Sequence, residues 1–340
     1  MGKSAFLLVI PVLLFSCAGS PQAQNEDDLA AAYPPAVLPA TGEPLPVSEF
    51  PEIWGYVVTG QEAALKSSLP ISDVAYFGAG LDTYGSLVGV PSRRSLGNFS
   101  GRVHLVVADS SRSLTHFVLV PGSRQRQALV ADILAAAKNF DGLQIDFENV
   151  PPRDGDNFLS FLNELRAGLG DGKALSIALY ARTRNVGDVY DYEKIAPIMD
   201  RVIVMAYDEH WSGSAPGPIS SLEWGRRVAA YSLNVIGRDK LVMGLPFYGR
   251  AWASANHSRA LIYDTIQRVA RENNVTEIER KDGIPTFRYD ATISVTVFFE
   301  DEYSLAVRMD MYRNMGVAAI GFWRVGQETQ LVWNRLKLGS

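Results

Sequence analysis

Asp146 and Glu148 stand two residues apart in the run Phe140-Asp141-Gly142-Leu143-Gln144-Ile145-Asp146-Phe147-Glu148-Asn149-Val150. Side chains alternate along an extended strand, so Gln144, Asp146 and Glu148 share one face while Ile145 and Phe147 share the other. Backbone rise sets the two carboxylates roughly 6 to 7 Å apart, close enough for the side chains to touch. Their repulsion raises one pKa, and a partly desolvated setting raises it further. A carboxylic acid that keeps its proton near neutral pH is what protonation of a glycosidic oxygen requires. Taken alone, an Asp-x-Glu pair is more often a solvated or salt-bridged feature of a strand end, so the elements around it must decide.

Short β-rich apolar runs alternate with longer amphipathic stretches from residue 53 onward, the pattern of βα units around a parallel sheet. Strands are predicted at 53–58, 74–78, 103–108, 142–147, 175–180, 202–207, 241–247 and 317–323. Helical spacing of three and four marks 124–139, 156–169, 192–199, 221–233 and 303–315. Eight strands with intervening helices predict an α/β fold, a TIM (β/α)8 barrel, over residues 50–340. The acidic pair ends the fourth strand, where the inward face of a TIM barrel opens into the active-site cup. The stretch between the seventh and eighth strands is too long for one βα unit. A helix at 263–274 and strands at 286–289 and 293–299 predict a small α+β insertion there, about 253–300, forming one wall of a cleft. A dinucleotide-binding sheet is the weaker alternative, since no Gly-x-Gly-x-x-Gly turn follows an early strand.

The acidic segment resembles the Asp-x-x-Asp-x-Asp-x-Glu signature of glycoside hydrolase family 18, the chitinase family. Asp141, Asp146 and Glu148 match it, and Gln144 departs from it. The resemblance is closest to the bacterial branch of spore-cortex N-acetylglucosaminidases, whose versions also run Ile-Asp-Phe-Glu-Asn. Three further segments fall in the family's order. Met205-Ala206-Tyr207-Asp208 ends the sixth strand, Gly244-Leu245-Pro246-Phe247-Tyr248-Gly249-Arg250 ends the seventh, and Gly321-Phe322-Trp323 ends the eighth. The resemblance implies Glu148 as the acid, with Asp146 and Tyr207 holding the 2-acetamido group of the −1 sugar. It implies substrate contacts for Asp208, Trp323, Tyr248, Arg250, Asp141 and Gln144. The implied reaction is retaining and substrate-assisted, without an enzyme nucleophile, metal or organic cofactor. The implied partner is a glycan containing N-acetylglucosamine, either peptidoglycan or a chitooligosaccharide.

Two readings from other classes stand beside this one: a chitinase-like barrel that binds glycan without cleaving it, favoured by Gln144, and a surface lipoprotein that only presents loops. Tyr180, Arg182, His210 and Trp211 fall on the cleft rim as further subsite candidates, whereas His104, His116 and His257 read as structural.

A net charge of −5 and the absence of a Lys/Arg-rich run argue against nucleic acid as a partner. Lys3 and the apolar run 5–15 read as an export signal, too short for a conventional membrane span. Cys17, the chain's one cysteine, follows Leu14-Phe15-Ser16 in a stretch that resembles a bacterial lipobox. The expectation is a signal peptide over 1–16, lipidation at Cys17, a flexible tether over 17–49 and anchorage to a cell-envelope membrane.

Overall fold

The computed structural model describes residues 26–40, 42–254, 257–291 and 293–339. The expected signal peptide, Cys17 and the first part of the expected tether lie outside the described residues.

Eight parallel strands close into a barrel. In chain order they are β1 (Glu52–Val58), β2 (Asp73–Leu81), β3 (Arg102–Asp109), β4 (Gly142–Phe147), β5 (Ala174–Tyr180), β6 (Arg201–Met205), β7 (Leu241–Pro246) and, after the insertion, β13 (Ala319–Trp323). Each pairs with its neighbour in sequence, β13 pairs with β1, and β1 pairs with β2 to complete the ring. All eight predicted strands are present, and β4 occupies the residues expected of it.

Two apolar layers account for the closure. Outward-facing Val74, Leu105, Leu143, Ile145, Phe147, Leu175 and Ile177 pack beneath helices α2 (Arg112–Leu119), α3 (Arg124–Ala137), α4 (Gly155–Leu169), α5 (Tyr192–Ile195), α6 (Leu222–Val235) and α8 (Glu302–Asn314). Inside the ring, Trp54, Tyr56, Ala75, Val106, Ile203, Val242 and Ala319 fill the centre. Two small inward residues make room for the large ones. A Cβ on Gly244 would sit 2.8 Å from the Val204 carbonyl and 3.2 Å from the ring of Tyr207, and one on Gly321 would sit 3.3 Å from the Cβ of Trp54. The first two βα connections depart from the ideal unit, carrying the short 3-10 turns Glu62–Ala64 and Arg93–Leu96 in place of α-helices. α5 stops four residues before the predicted end at 199, because Pro197 lacks an amide hydrogen and clashes with the preceding turn.

The insertion is a five-stranded antiparallel sheet carrying one helix. It comprises β8 (Tyr248–Ser254), β9 (His257–Ile262), α7 (Tyr263–Glu272), β10 (Glu279–Lys281), β11 (Ile284–Asp290) and β12 (Ser294–Phe298), in the order β9-β8-β12-β11-β10. It starts at Tyr248, earlier than the expected 253, since the chain reverses into the new sheet one residue after β7 ends.

Part of the expected tether is docked on the barrel. Helix α1 (Glu26–Ala31) packs on α6, with Ala30 buried and Leu29, Tyr33 and Ala36 against the main core. Arg226 of α6 donates to the carbonyls of Ala30 and Tyr33, Thr183 donates to the carboxylate of Glu26, and the Tyr303 hydroxyl donates to the carbonyl of Pro39 at 2.9 Å. Apolar side chains and satisfied carbonyls give this stretch the means to offset its ordering entropy, which a solvated linker lacks. Ser48–Phe50 then pairs in parallel with Leu336–Leu338, clasping the two ends of the folded unit together.

Candidate active site

A cavity of about 570 Å3 opens at the carboxyl ends of the barrel strands. Asp146, Glu148, Tyr207, Asp208, Tyr248 and Trp323 all line it, so four motifs scattered over 178 residues of chain converge on one cup.

Asp146 lies at the bottom, 7% exposed, and its Oδ1 has no hydrogen-bond partner. Burial, with the charge of Glu148 second, pushes its carboxyl up to about 7. Glu148 stands one step further out, half-buried, and accepts a hydrogen bond from the Tyr180 hydroxyl at 3.1 Å. Burial and the same carboxylate push Tyr180 well above the ordinary phenol range, so it stays a donor. The two acids therefore occupy unlike settings, one buried and unpartnered, the other at the cavity mouth with a donor. Unlike settings let two carboxyl groups take different roles.

Trp323 forms an apolar wall, its ring 5.3 Å from those of Tyr56 and Phe77. An aromatic face of this kind suits the C–H side of a pyranose. Tyr207 comes off the end of β6, and burial holds its hydroxyl in the protonated form. Asp208 follows with a backbone φ of 57°, a left-handed conformation that Asp tolerates better than most residues. Its carboxylate accepts from the Tyr248 hydroxyl at 2.6 Å and lies 3.9 Å from Arg250.

Three predicted site residues lie outside the main cavity. Asp141 sits at the amino end of β4, the far end of the barrel from the cup. There it accepts from the Val103 amide at 2.8 Å and pairs with Arg93, so it ties strands together. Gln144 is fully buried beneath Asp146. Its side-chain oxygen accepts from Tyr56 at 2.6 Å and its amide donates to Ser176 at 3.2 Å, making it a support for the cup floor. Arg250 misses the main cavity and lines a smaller one of about 240 Å3 that shares Asp208, Tyr248 and Trp323 with it.

Other lining residues carried little or no signal in the sequence. Tyr56 and Phe77 come from β1 and β2, outside every motif, and only inward alternation along those strands could have flagged them. Trp224 reaches the cavity from the first turn of α6, and the helical spacing there reads equally well as core. Tyr180, Arg182 and Trp211, which were rim candidates, all line the cavity, whereas His210 does not. His104, His116 and His257 are held by Asp73, Asp154 and Ser254, respectively, away from the cup.

The family model "Glycosyl hydrolases family 18" matches residues 102–328. A Bacillus subtilis (strain 168) protein named for sporulation-specific glycosylase activity, YdhD, is 32% identical over 232 residues, 63% of this chain and 54% of that protein. The chain thus spans about half the length of that relative. The spore cortex-lytic enzyme SleL of Bacillus cereus superimposes with a TM-score of 0.77 at 22% identity, covering 88% of this chain and 77% of that one. A chitinase from Chromobacterium violaceum superimposes with a TM-score of 0.75 at 22% identity, covering 84% and 97%. These likenesses establish the shared barrel. Because the family match covers two-thirds of the residues and includes Asp146, Glu148, Tyr207 and Trp323, the chain belongs to glycosyl hydrolase family 18.

Proposed function

We propose that this chain hydrolyses β-1,4 linkages after N-acetylglucosamine, in peptidoglycan or chitin-type glycans, with retention and with assistance from the substrate's own acetamide. The observation that carries this reading is the unlike pair at the end of β4. Asp146 is buried, unpartnered at Oδ1 and held up near neutrality, and Glu148 faces the cavity with Tyr180 as donor.

In the first step the Glu148 carboxyl gives its proton to the glycosidic oxygen as the bond from that oxygen to C1 breaks. The carbonyl oxygen of the 2-acetamido group bonds to C1 from the opposite face. Asp146 and Tyr207 hold the acetamide, and Trp323 supports the sugar ring. In the second step a water attacks C1 and loses its proton to Glu148, the acetamide oxygen departs, and the product keeps its configuration. A cavity of about 570 Å3 is in the range of small-ligand sites. The names of SleL and YdhD favour peptidoglycan, and that of the Chromobacterium enzyme favours chitin. Export and anchorage at Cys17 belong to the same proposal, supported by the apolar run and the position of the cysteine.

The test is release from fluorogenic N,N′-diacetylchitobioside and from purified peptidoglycan by the full chain and by Glu148→Gln. The variant should lose roughly 10² to 10⁴ in kcat, the range of a general acid. Undiminished turnover in the variant would remove Glu148 from the mechanism. Saturable binding by the wild type without release from either substrate would establish a glycan-binding barrel instead.

A further inference from the structure

The turn that leads Glu148 out of β4 is joined to the turn that leaves β3. The Glu148 amide donates to the Asp109 carbonyl at 2.8 Å, and Asn149 Nδ2 donates to that of Ser110 at 3.2 Å. Beyond it, the Val150 amide donates to the Tyr190 hydroxyl at 2.8 Å, and Pro151 and Pro152 stiffen the chain. This joined rim carries a second cavity, of about 540 Å3, lined by Arg112, Ser113, His116, Pro151, Pro152 and Arg153.

Its charge runs against that of the molecule. The chain is net negative by 5, yet no carboxylate lines this cavity. The Arg112 guanidinium makes no hydrogen bond or ion pair among the described residues. The nearest acid to Arg153 is Asp154, 3.9 Å away. That buried carboxylate is already engaged, accepting from His116 Nδ1 at 2.8 Å and from Asn157 at 2.9 Å. Two guanidinium groups are left facing solvent over a rigid floor. His116 lines the same cavity, with its Nε2 edge unused among the described residues.

We propose that this cavity binds carboxylates carried on the substituents of the glycan, making the Arg112–Arg153 rim a specificity site for acid-bearing strands. The proposal rests on the glycan-hydrolase reading above and narrows it toward peptidoglycan, because chitin is uncharged. The planar guanidinium fork matches a carboxylate in a two-point contact that a neutral sugar cannot offer. Reach is sufficient. Arg153 follows Glu148 by five residues, so their Cα atoms lie within roughly 18 Å even at full extension. The cavity therefore lies within that distance of the backbone that carries Glu148.

The test uses the full chain and the double variant Arg112→Gln/Arg153→Gln. Binding is read by co-sedimentation with peptidoglycan sacculi in a Glu148→Gln background, and turnover is read in the active background on peptidoglycan and on the neutral chitobioside. At low salt the double variant should bind sacculi roughly three- to tenfold more weakly, as exposed pairs allow. The difference should shrink as salt is added, and kcat/KM on the chitobioside should stay within twofold. Stripping the peptides frees the lactyl carboxylate that each stem otherwise holds as an amide: a vanished difference assigns recognition to the carboxylates of the stems, and a persisting one shows that a free lactyl carboxylate is bound as well. Unchanged binding to sacculi, or an equal loss on the neutral substrate, overturns the proposal. Failure of the wild type to cleave either substrate would count against the hydrolase reading alone, since the binding arm does not need turnover.

Discussion

Asp146 is stabilising to the chemistry and destabilising to the fold. A buried acid whose folded pKa exceeds its unfolded value keeps its proton longer in the native state, so stability falls as pH rises between the two. Here the window runs from the ordinary 3.8 to about 7, a penalty of roughly 4 kcal/mol once the group is ionised. Asp146→Asn removes the titration and keeps the shape. The variant should match the wild type near pH 4 and melt several degrees higher at pH 8, as followed by calorimetry. Parallel pH profiles would show that Asp146 titrates normally. Alternation puts this residue and Glu148 on one face, but it was the resemblance of their motif, and of the motifs that hold Tyr207, Asp208 and Trp323, that singled these residues out. Asp141 and Gln144 sit in the same motif, but depth along β4 decides their role. Spacing fixes the face a side chain takes and leaves open which end of the barrel it serves.

At the level of elements, the barrel strands were legible because runs buried on both sides read as continuous apolar stretches. The insertion was harder, since β8 begins within a motif that reads as the tail of β7. The segment after residue 26 was the furthest from expectation. Its Ala- and Pro-rich composition suits a linker, and only the matching surface of α6 turns it into structure. Arg226 is the main link, donating to two carbonyls of that segment while pairing with Glu223. Arg226→Ala should release residues 26–40 from α6, giving new protease cleavage there and lowering Tm by a few degrees. Resistance to cleavage equal to that of the wild type would show that the apolar contacts of Leu29 and Ala36 suffice.

For the molecule as a whole, the open question is where it works. If Cys17 is the lipidated residue, Cys17→Ala should abolish palmitate labelling in cells and shift the protein from the membrane to the soluble fraction. Labelling that survives the substitution would refute the assignment.

The docking of Glu26 beside Thr183 has a bearing on that question. Thr183 directly follows Arg182, which lines the main cavity, so the first described residue lies at the rim of the cup. Nine peptide units connect it to Cys17, a contour of roughly 30 Å at most. An enzyme so attached would be a surface-bound catalyst with a fixed working radius. Its mouth would sweep a shell a few nanometres deep above the lipid, and glycan in outer layers would be beyond its reach whatever its affinity.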